Sequence, residues 1–456
     1  MNSSLYNDGV GFDGLRKVVD EICHSALQAV NPERSVSQLL SREDEVLKVG
    51  EYSYSLRDRN VFLTGTGKAG VPMARAVEGI LLDKLCSGLI VVKYDHGGDL
   101  KKTAVLEAGH PEPDAQGEKS AQRLITFLKD NVTESDLLFV LISGGGSALL
   151  PAPVSAISFE EKRQTSASLL RCGATIQEFN TIRKHISRVK GGRLLDYVQG
   201  AEVVSLLLSD VVGDDVASIA SGPTAPDPTT FEQCLEIIQK YAIESEIPKA
   251  VLRYLQAGSG DDITVCETPK PGDQRFAKVR NIVAGSNIQA LQAAAEKAHS
   301  LGFPPLILSS SITGNTADAA ESHVAIAREV LSTGNPISPP CCIISGGETT
   351  VRVKGTGKGG RNQEFVLWCA HHITDWDHPA IFVSIGSDGN DGPTDAAGAI
   401  ASPETVRRAE KKGLSIKDYL ERNDSYHFFQ KLDDLIITGP TQTNVMDLRF
   451  MLIGGS

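Results

Sequence analysis

Residues 387–398 read SDGNDGPTDAAG and follow the apolar run IFVSIG. Asp388, Asp391 and Asp395 alternate there with Gly389, Gly392 and Gly398. Acids on a bendable backbone at a strand exit suit oxygen-only coordination of a hard cation such as Mg²⁺, which takes few protein carboxylates and leaves room for phosphates. Asp388 and Asp391 are the candidate metal ligands. Taken alone, the loop reads equally as a solvated turn, because Asp and Gly are turn formers. A basic counterpart lies just upstream. VRVKGTGKGGRNQE (351–364) carries Arg352, Lys354, Lys358 and Arg361 with no acid before Glu364. Arg361 follows two glycines and opens the helical pattern NQEFVLWCAHHI, and its planar fork suits a carboxylate or a phosphoryl oxygen. Cationic and acidic loops together point to phosphoryl transfer. That chemistry needs positioning, a divalent cation and positive side chains more than covalent help.

Further loops fit the same chemistry. GTGK (65–68) follows an apolar strand and precedes a helix, where backbone N–H groups bind anions and Lys68 adds charge. Gly65, Gly67 and Lys68 are therefore candidates, although Ala69 after the lysine and the missing spacing exclude a Walker A sequence. SGGGS, from Ser143 through Gly144, Gly145 and Gly146 to Ser147, lets a ligand approach the backbone closely. A second ISGG ends in Gly346 and Gly347, and with Glu348, Asn362 and Glu364 it supplies the matching candidates in the second half. NTIRKHISRVKGGR (180–193) is basic throughout; Lys190 and Arg193 flank a glycine pair and are in reach of a phosphate, or the stretch is a solvated helix face. Asp210 ends the apolar strand in LLSDVVGDD, where a partly buried carboxylate can serve as general base or metal ligand. Asp214 and Asp215 read as turn formers.

The elements that must position these loops recur along the chain. Short apolar strands run into Gly, Ser or Asp loops at VFLTGTG, LIVVKYDHGG, TAVLEAGHPEPD, LLFVLISGGGS and VVSLLLSDVVGD. The second half repeats this at NIVAGSN, LILSSSITGN, CIISGGE, IFVSIGSDG and LIITGPTQTN. Between many of them lie segments of helical period, such as AGVPMARAVEGILLDKL and TADAAESHVAIAREVLSTG. This alternation predicts two α/β domains, with a Rossmann-like, largely parallel sheet in the first, a parallel or mixed sheet in the second, and ligand loops beyond the strand ends. CIISGGETTVRVKG is open to a hairpin reading, which would make the second sheet mixed. The Gly-, Pro- and Asp-rich stretch at 256–278 is the expected boundary, giving domains at 1–260 and 275–456.

Bulk properties narrow the classes. The 456 residues exceed one core, and the formal charge of −12 argues against a nucleic-acid partner while leaving a small anionic substrate open. No run approaches a membrane span, and the eight cysteines show no CxxC spacing. Unpaired core cysteines and the lack of a leader pattern predict a cytoplasmic protein.

The motifs GTGKAG, AGHPEPD, ISGGGSALL, NTIRKHISRVKGGR, LSDVVGDD, ISGGETTVRVKGTGKGGRNQE and SDGNDGPTDAAGA occur in this order. In them the chain resembles the class II glycerate kinase family, whose C-terminal part (here about 335–450) is called the MOFRL domain. The resemblance runs over nearly the whole chain. It implies a kinase using ATP and Mg²⁺ to phosphorylate D-glycerate at its 2-hydroxyl, with two α/β domains and an active site in the cleft between them. It also implies an essential lysine at Lys68, an essential arginine at Arg361 and the acid at Asp210. A homodimer stays open, as does the nucleotide preference. The competing expectations are an NAD(P)H-dependent hydroxypyruvate reductase and a nucleotide-sensing protein. The first lacks a GxGxxG fingerprint after a strand, and the second has no need of a base.

Overall fold

The computed structural model describes residues 12–260 and 264–455. They form two α/β units. One comprises Pro32–Ala284; the other joins the N-terminal helix Phe12–Ala29 to residues 285–455.

The first of these, the parallel-sheet unit, opens on a small antiparallel sheet of β1 (Leu40–Glu43), β2 (Val46–Val49) and β3 (Tyr52–Ser55). Its main sheet contains β4 (Val61–Thr66), β5 (Leu85–Lys93), β6 (Thr103–Ala108), β7 (Leu137–Ile142), β8 (Glu202–Leu208) and β9 (Val279–Gly285), in the order β6-β5-β4-β7-β8-β9. The pairs β4–β5, β5–β6, β4–β7 and β7–β8 are parallel. β4 and β7 are buried along their whole length, as central strands covered on both faces must be. Their side chains pack with Leu89, Val91, Leu124, Ile125 and Leu207. A separate helical core of Leu169, Phe179, Ile182, Phe231, Ile238 and Leu255 is built from helices with capping boxes at Ser158, Thr175 and Thr230.

The mixed-sheet unit contains β10 (Pro305–Ile312), β11 (Cys341–Gly347), β12 (Ala380–Gly386), β13 (Gly398–Ala401), β14 (Leu435–Ile436) and β15 (Asp447–Ile453). Its order is β10-β11-β15-β12-β13-β14. Only β10–β11 is parallel; β15 runs antiparallel to both β11 and β12. Among the described residues no helix is long and apolar enough to cross a membrane.

The expected boundary shifts. NIVAGSN was assigned to the second half, but its strand β9 lies beside β8, with Val203 N–H donating to the Lys278 carbonyl at 2.9 Å. The N-terminal helix was assigned to the first half. Its apolar face (Leu15, Val18, Val19, Ile22 and Ala26) is buried, Ser25 bonds the Ala293 carbonyl, and Thr443 bonds the Val30 carbonyl. CIISGGETTVRVKG is no hairpin: only Cys341–Gly347 is strand, and the mixed character comes from β15. LIITGPTQTN contributes two strand residues rather than a full strand.

Candidate functional sites in the two units

In the parallel-sheet unit the strand order reverses between β4 and β7, the position at which doubly wound sheets bind ligands beyond the carboxyl ends of their strands. The GTGK and SGGGS loops leave those two ends. Thr66 lies opposite Ile142 in register, and Ile142 opposite Leu207, so Asp210, two residues past β8, is on the same edge. The two loops are bonded to each other. Ser143 N–H donates to the Thr66 carbonyl at 3.1 Å, Lys68 N–H to the Gly144 carbonyl at 2.9 Å, and Ala69 N–H to Ser143 Oγ at 3.0 Å. Gly67 has φ of 130°, and a Cβ there would collide with Ser143; Gly145 has φ of 87°, and a Cβ there would lie 2.9 Å from the His110 ring. Gly65 sits inside β4, where its missing Cβ lets Leu141 approach. Gly146 begins the short helix Gly146–Leu149, and Ser147 Oγ bonds Ser221 Oγ at 2.6 Å.

Within the same unit the ammonium of Lys68 has no hydrogen-bond or ion-pair partner among the described residues. His110 and the Lys68 stem both lie close to Gly145, while His96 Nδ1 meets the Lys68 carbonyl at 3.0 Å. Burial, with Lys68, Lys93 and His96 nearby, lowers the His110 pKa to about 4, so its ring is neutral at pH 7. This edge therefore presents an unpaired cation, a neutral imidazole, polar glycine loops and a carboxylate.

The basic stretch is largely engaged within the fold. Lys184 pairs with Asp227 at 3.3 Å, and Arg188 donates to the Pro153 carbonyl. Arg193 donates to the Cys266 carbonyl at 2.7 Å, which ties two loops together. Lys190 is buried and donates to the carbonyls of Ser147 and Leu150 at 2.9 and 3.2 Å, so it braces the SGGGS loop from behind. Asp215 closes a local turn through Ala217 N–H and Ser218, as turn formers do.

In the mixed-sheet unit the candidates gather around a residue that the sequence reading missed, Asp447. This first residue of β15 lies opposite both Gly347 and Gly386, between the ends of β11 and β12. It is fully buried and accepts from Arg361 Nε, Asn362 Nδ2 at 2.9 Å and Arg449 Nη2 at 3.0 Å. Arg361 Nη1 reaches Glu348 Oε1 at 2.7 Å. Burial opposes the Arg361 charge, but Asp447 and Glu348 outweigh it and raise its pKa. Glu348 is itself raised, first by burial and then by Asp447 and Asp388, with Arg361 opposing. Gly346 backs closely onto Asn287.

The two metal candidates are placed differently. Asp391 is buried and accepts from the backbone N–H groups of Asn362 and Gln363 at 3.0 and 2.8 Å. It caps, from another loop, the helix Arg361–His372, whose own first residue follows a glycine that cannot cap by side chain. Burial raises its pKa to about 6 against those hydrogen bonds. Asp388 is partly exposed, and among the described residues its carboxylate takes only the nearby Asn390 N–H. Glu364 accepts from Asn423, which also takes Lys354 and Gly355 N–H and so pins the basic loop. Among the described residues no group of three or more His, Cys, Asp or Glu could hold a metal. A Mg²⁺ held by one or two carboxylates, waters and substrate phosphates fits that donor set.

The signals for the missed residues were faint. His110 lies in AGHPEPD, and only its placement next to Gly145 gives it meaning. Asp447 opens and Arg449 interrupts the apolar run DLRFMLI, a stretch to which the sequence alone assigns no role; both are buried.

Residues 18–256 match the family described as a domain of unknown function (DUF4147), and residues 341–447 match the MOFRL family. The glycerate 2-kinase of Pyrococcus horikoshii is 38% identical over 440 residues, spanning 96% of this chain and 97% of the relative. The D-glycerate 2-kinase of Thermotoga maritima is 38% identical over 444 residues, spanning 97% and 99%. The solved structure of the T. maritima glycerate kinase superposes with a TM-score of 0.85 at 37% identity, covering 97% of this chain and 100% of that chain.

Proposed function

Because the chain belongs to the glycerate kinase family with DUF4147 and MOFRL regions, we propose that it transfers the γ-phosphoryl group of ATP to the 2-hydroxyl of D-glycerate, giving ADP and 2-phosphoglycerate. The observation that carries this reading is the free Lys68 ammonium beside two interlocked glycine loops at the sheet's switch point. Phosphoryl transfer asks for such preorganised cations around a group whose charge is being redistributed.

In this reading Lys68 and Arg361 neutralise the moving phosphoryl group or clamp the glycerate carboxylate. Asp210 orients the 2-hydroxyl and takes its proton. Backbone N–H groups of the SGGGS and second ISGG loops receive phosphate oxygens. Asp388 would hold Mg²⁺ through one carboxylate and water, and the ion would supply charge neutralisation on the phosphates. Asp391 sets the first helical turn, from which Arg361 and Asn362 project. Hydride transfer to hydroxypyruvate finds less support, since the loop after β4 reads GTGKAG and not GxGxxG. A cytoplasmic site of action suits eight unpaired cysteines, five of them buried.

The test is a coupled assay of the purified protein with D-glycerate and MgATP, read through enolase, which responds to 2-phosphoglycerate directly. ADP and 2-phosphoglycerate should form together. Robust NAD(P)H oxidation with hydroxypyruvate and no ADP would overturn the reading.

A further inference from the structure

In the parallel-sheet unit, a cavity of about 570 Å³ opens between the helices Phe159–Arg171 and Ile176–His185. Its wall is mostly apolar, with Phe159, Leu170 and Phe179 among its residues. Four cations also line it: Lys162, Arg163, Arg183 and Lys190. Arg163 is paired with Glu160, but none of the other three has a carboxylate partner among the described residues. Lys162 Nζ donates to the Ile186 carbonyl at 3.0 Å, and Lys190 Nζ to the carbonyls of Ser147 and Leu150. The Arg183 guanidinium makes no hydrogen bond to a described residue; it lies 4.0 Å from the centre of the Phe179 ring. The two acids on the wall do not compensate this group: Glu160 is paired with Arg163 at 3.1 Å, and Glu112 is exposed. By contrast the adjacent Lys184 has its own buried Asp227.

Gathering three cations in a buried wall is unfavourable, because desolvation and mutual repulsion add. Both act here. Burial first, then Arg183, lowers Lys162 to about 7, and burial, then Lys162 and Arg183, lowers Lys190 well below the usual lysine value. A fold keeps such a cluster when a ligand brings the missing negative charge. The volume lies in the range of clefts that enclose a drug-sized ligand and far exceeds a three-carbon acid. An apolar wall with convergent cations fits a molecule with a flat apolar body and several negative charges.

We propose that this cavity receives the adenine nucleotide, with its phosphate chain on Lys162, Arg183 and Lys190 and its base against Phe159, Phe179 and Leu170. The assignment rests on the kinase reading above and names the place of its phosphoryl donor. Ser147 and Lys190 join the cavity to the SGGGS loop, and the Gly144 carbonyl joins that loop to Lys68 N–H. The phosphate chain would therefore run from the cavity towards Lys68.

The experiment uses the full chain and two variants. Arg183→Gln removes one cation, and Ala167→Phe adds bulk at a residue of the cavity wall. ADP binding is measured by calorimetry without glycerate, and KM is measured for ATP and for D-glycerate. Both variants should weaken ADP binding and raise KM for ATP about ten- to a hundredfold, the range for losing a hydrogen bond to a charged group. KM for D-glycerate should stay within about twofold. Arg183→Gln should melt no lower than the parent, since it leaves no orphaned acceptor and relieves repulsion. Unchanged ADP binding in both folded variants would overturn the proposal. So would a rise in KM for glycerate alone, which would give the cavity to the acceptor, or a melting temperature several degrees lower for Arg183→Gln, which would make that residue structural. ADP titration needs no turnover. A parent protein that binds ADP through Arg183 yet leaves glycerate unphosphorylated would strike the activity and spare the site.

Discussion

Asp447 takes Arg361 Nε on both carboxylate oxygens, at 3.0 and 2.8 Å, from the first position of a strand that runs against its neighbours. A carboxylate on β15 thereby aims a guanidinium at the facing ends of β11 and β12. Arg361 Nη1 continues to Glu348, and its Nη2 donates to no described residue. The pair is one positioning device, and its two halves fail in different ways.

Arg361→Ala should lower kcat about a hundred- to a thousandfold, the effect of removing a charge-stabilising donor. Arg361→Lys should not restore it, because an ammonium cannot hold Asp447 and a substrate oxygen with one planar fork. Asp447→Asn should lower both kcat and the melting temperature. It leaves Arg361 and the buried Arg449 without their shared counter-charge, a loss of roughly 3 to 5 kcal/mol. Steady-state kinetics beside a thermal melt would check this; an Asp447→Asn protein with parental stability would separate the two arginines from Asp447.

Lys68→Ala should behave as a pure loss of function. The ammonium holds no described residue, and the loop is fixed by backbone bonds through Gly144 and Ser143. We expect kcat to fall by about two to three orders of magnitude with an unchanged melt. Near-parental turnover in the folded variant would remove Lys68 from the site.

The two aspartates of the acidic loop should separate. Asp388→Asn should raise the Mg²⁺ concentration for half-maximal activity and leave stability alone, since its carboxylate bonds only Asn390 N–H. Asp391→Ala strips the acceptor from Asn362 and Gln363 N–H and should cost about 1 to 2 kcal/mol, as loss of a helix cap does. A magnesium titration and a urea melt on both variants distinguish the roles. Equal magnesium dependence in Asp388→Asn and the parent would move the metal elsewhere.

Stability of the mixed-sheet unit should fall on mild acidification. The buried His323 ring lies between the Ala319 carbonyl at 2.6 Å and Ser345 Oγ at 2.8 Å, and burial lowers its pKa from 6.5 to about 4. The folded state then binds fewer protons than the unfolded one. Its contribution is complete above pH 6.5 and is lost as pH falls towards 4, at about 1.4 kcal/mol per pH unit. Asp391, raised to about 6, works in the opposite sense below that pH. In His323→Gln the stability gap to the parent should narrow steadily from pH 6.5 to 4.5. Parallel curves would show that the ring titrates normally.

The loops that carry the chemistry were legible because their signals are local. Apolar strand, glycine turn and polar residue follow each other within ten positions, and the structure puts each at a strand end. Lys68 stands out in this way, and Arg361 through the two glycines before it and the helical pattern it opens. The partners that give other residues their roles were not legible. The sequence did not show that Asp391 caps the helix Arg361–His372 from another loop, nor that Lys190 also braces the Ser147 and Leu150 carbonyls.

The amino-acid order alone therefore determined two α/β units, the parallel pattern of the first sheet and the polar loops that follow the main strands, because hydrophobic period and turn chemistry act over a few residues. Tertiary structure decided the rest. It set β15 between β11 and β12 with Asp447 at their ends, gave the N-terminal helix to the mixed-sheet unit and moved β9 to the first sheet. It also collected Lys162, Arg183 and Lys190 around one cavity. Such pairings join residues far apart in the chain, and their stability comes from burial and complementary charge, which no local stretch of sequence displays.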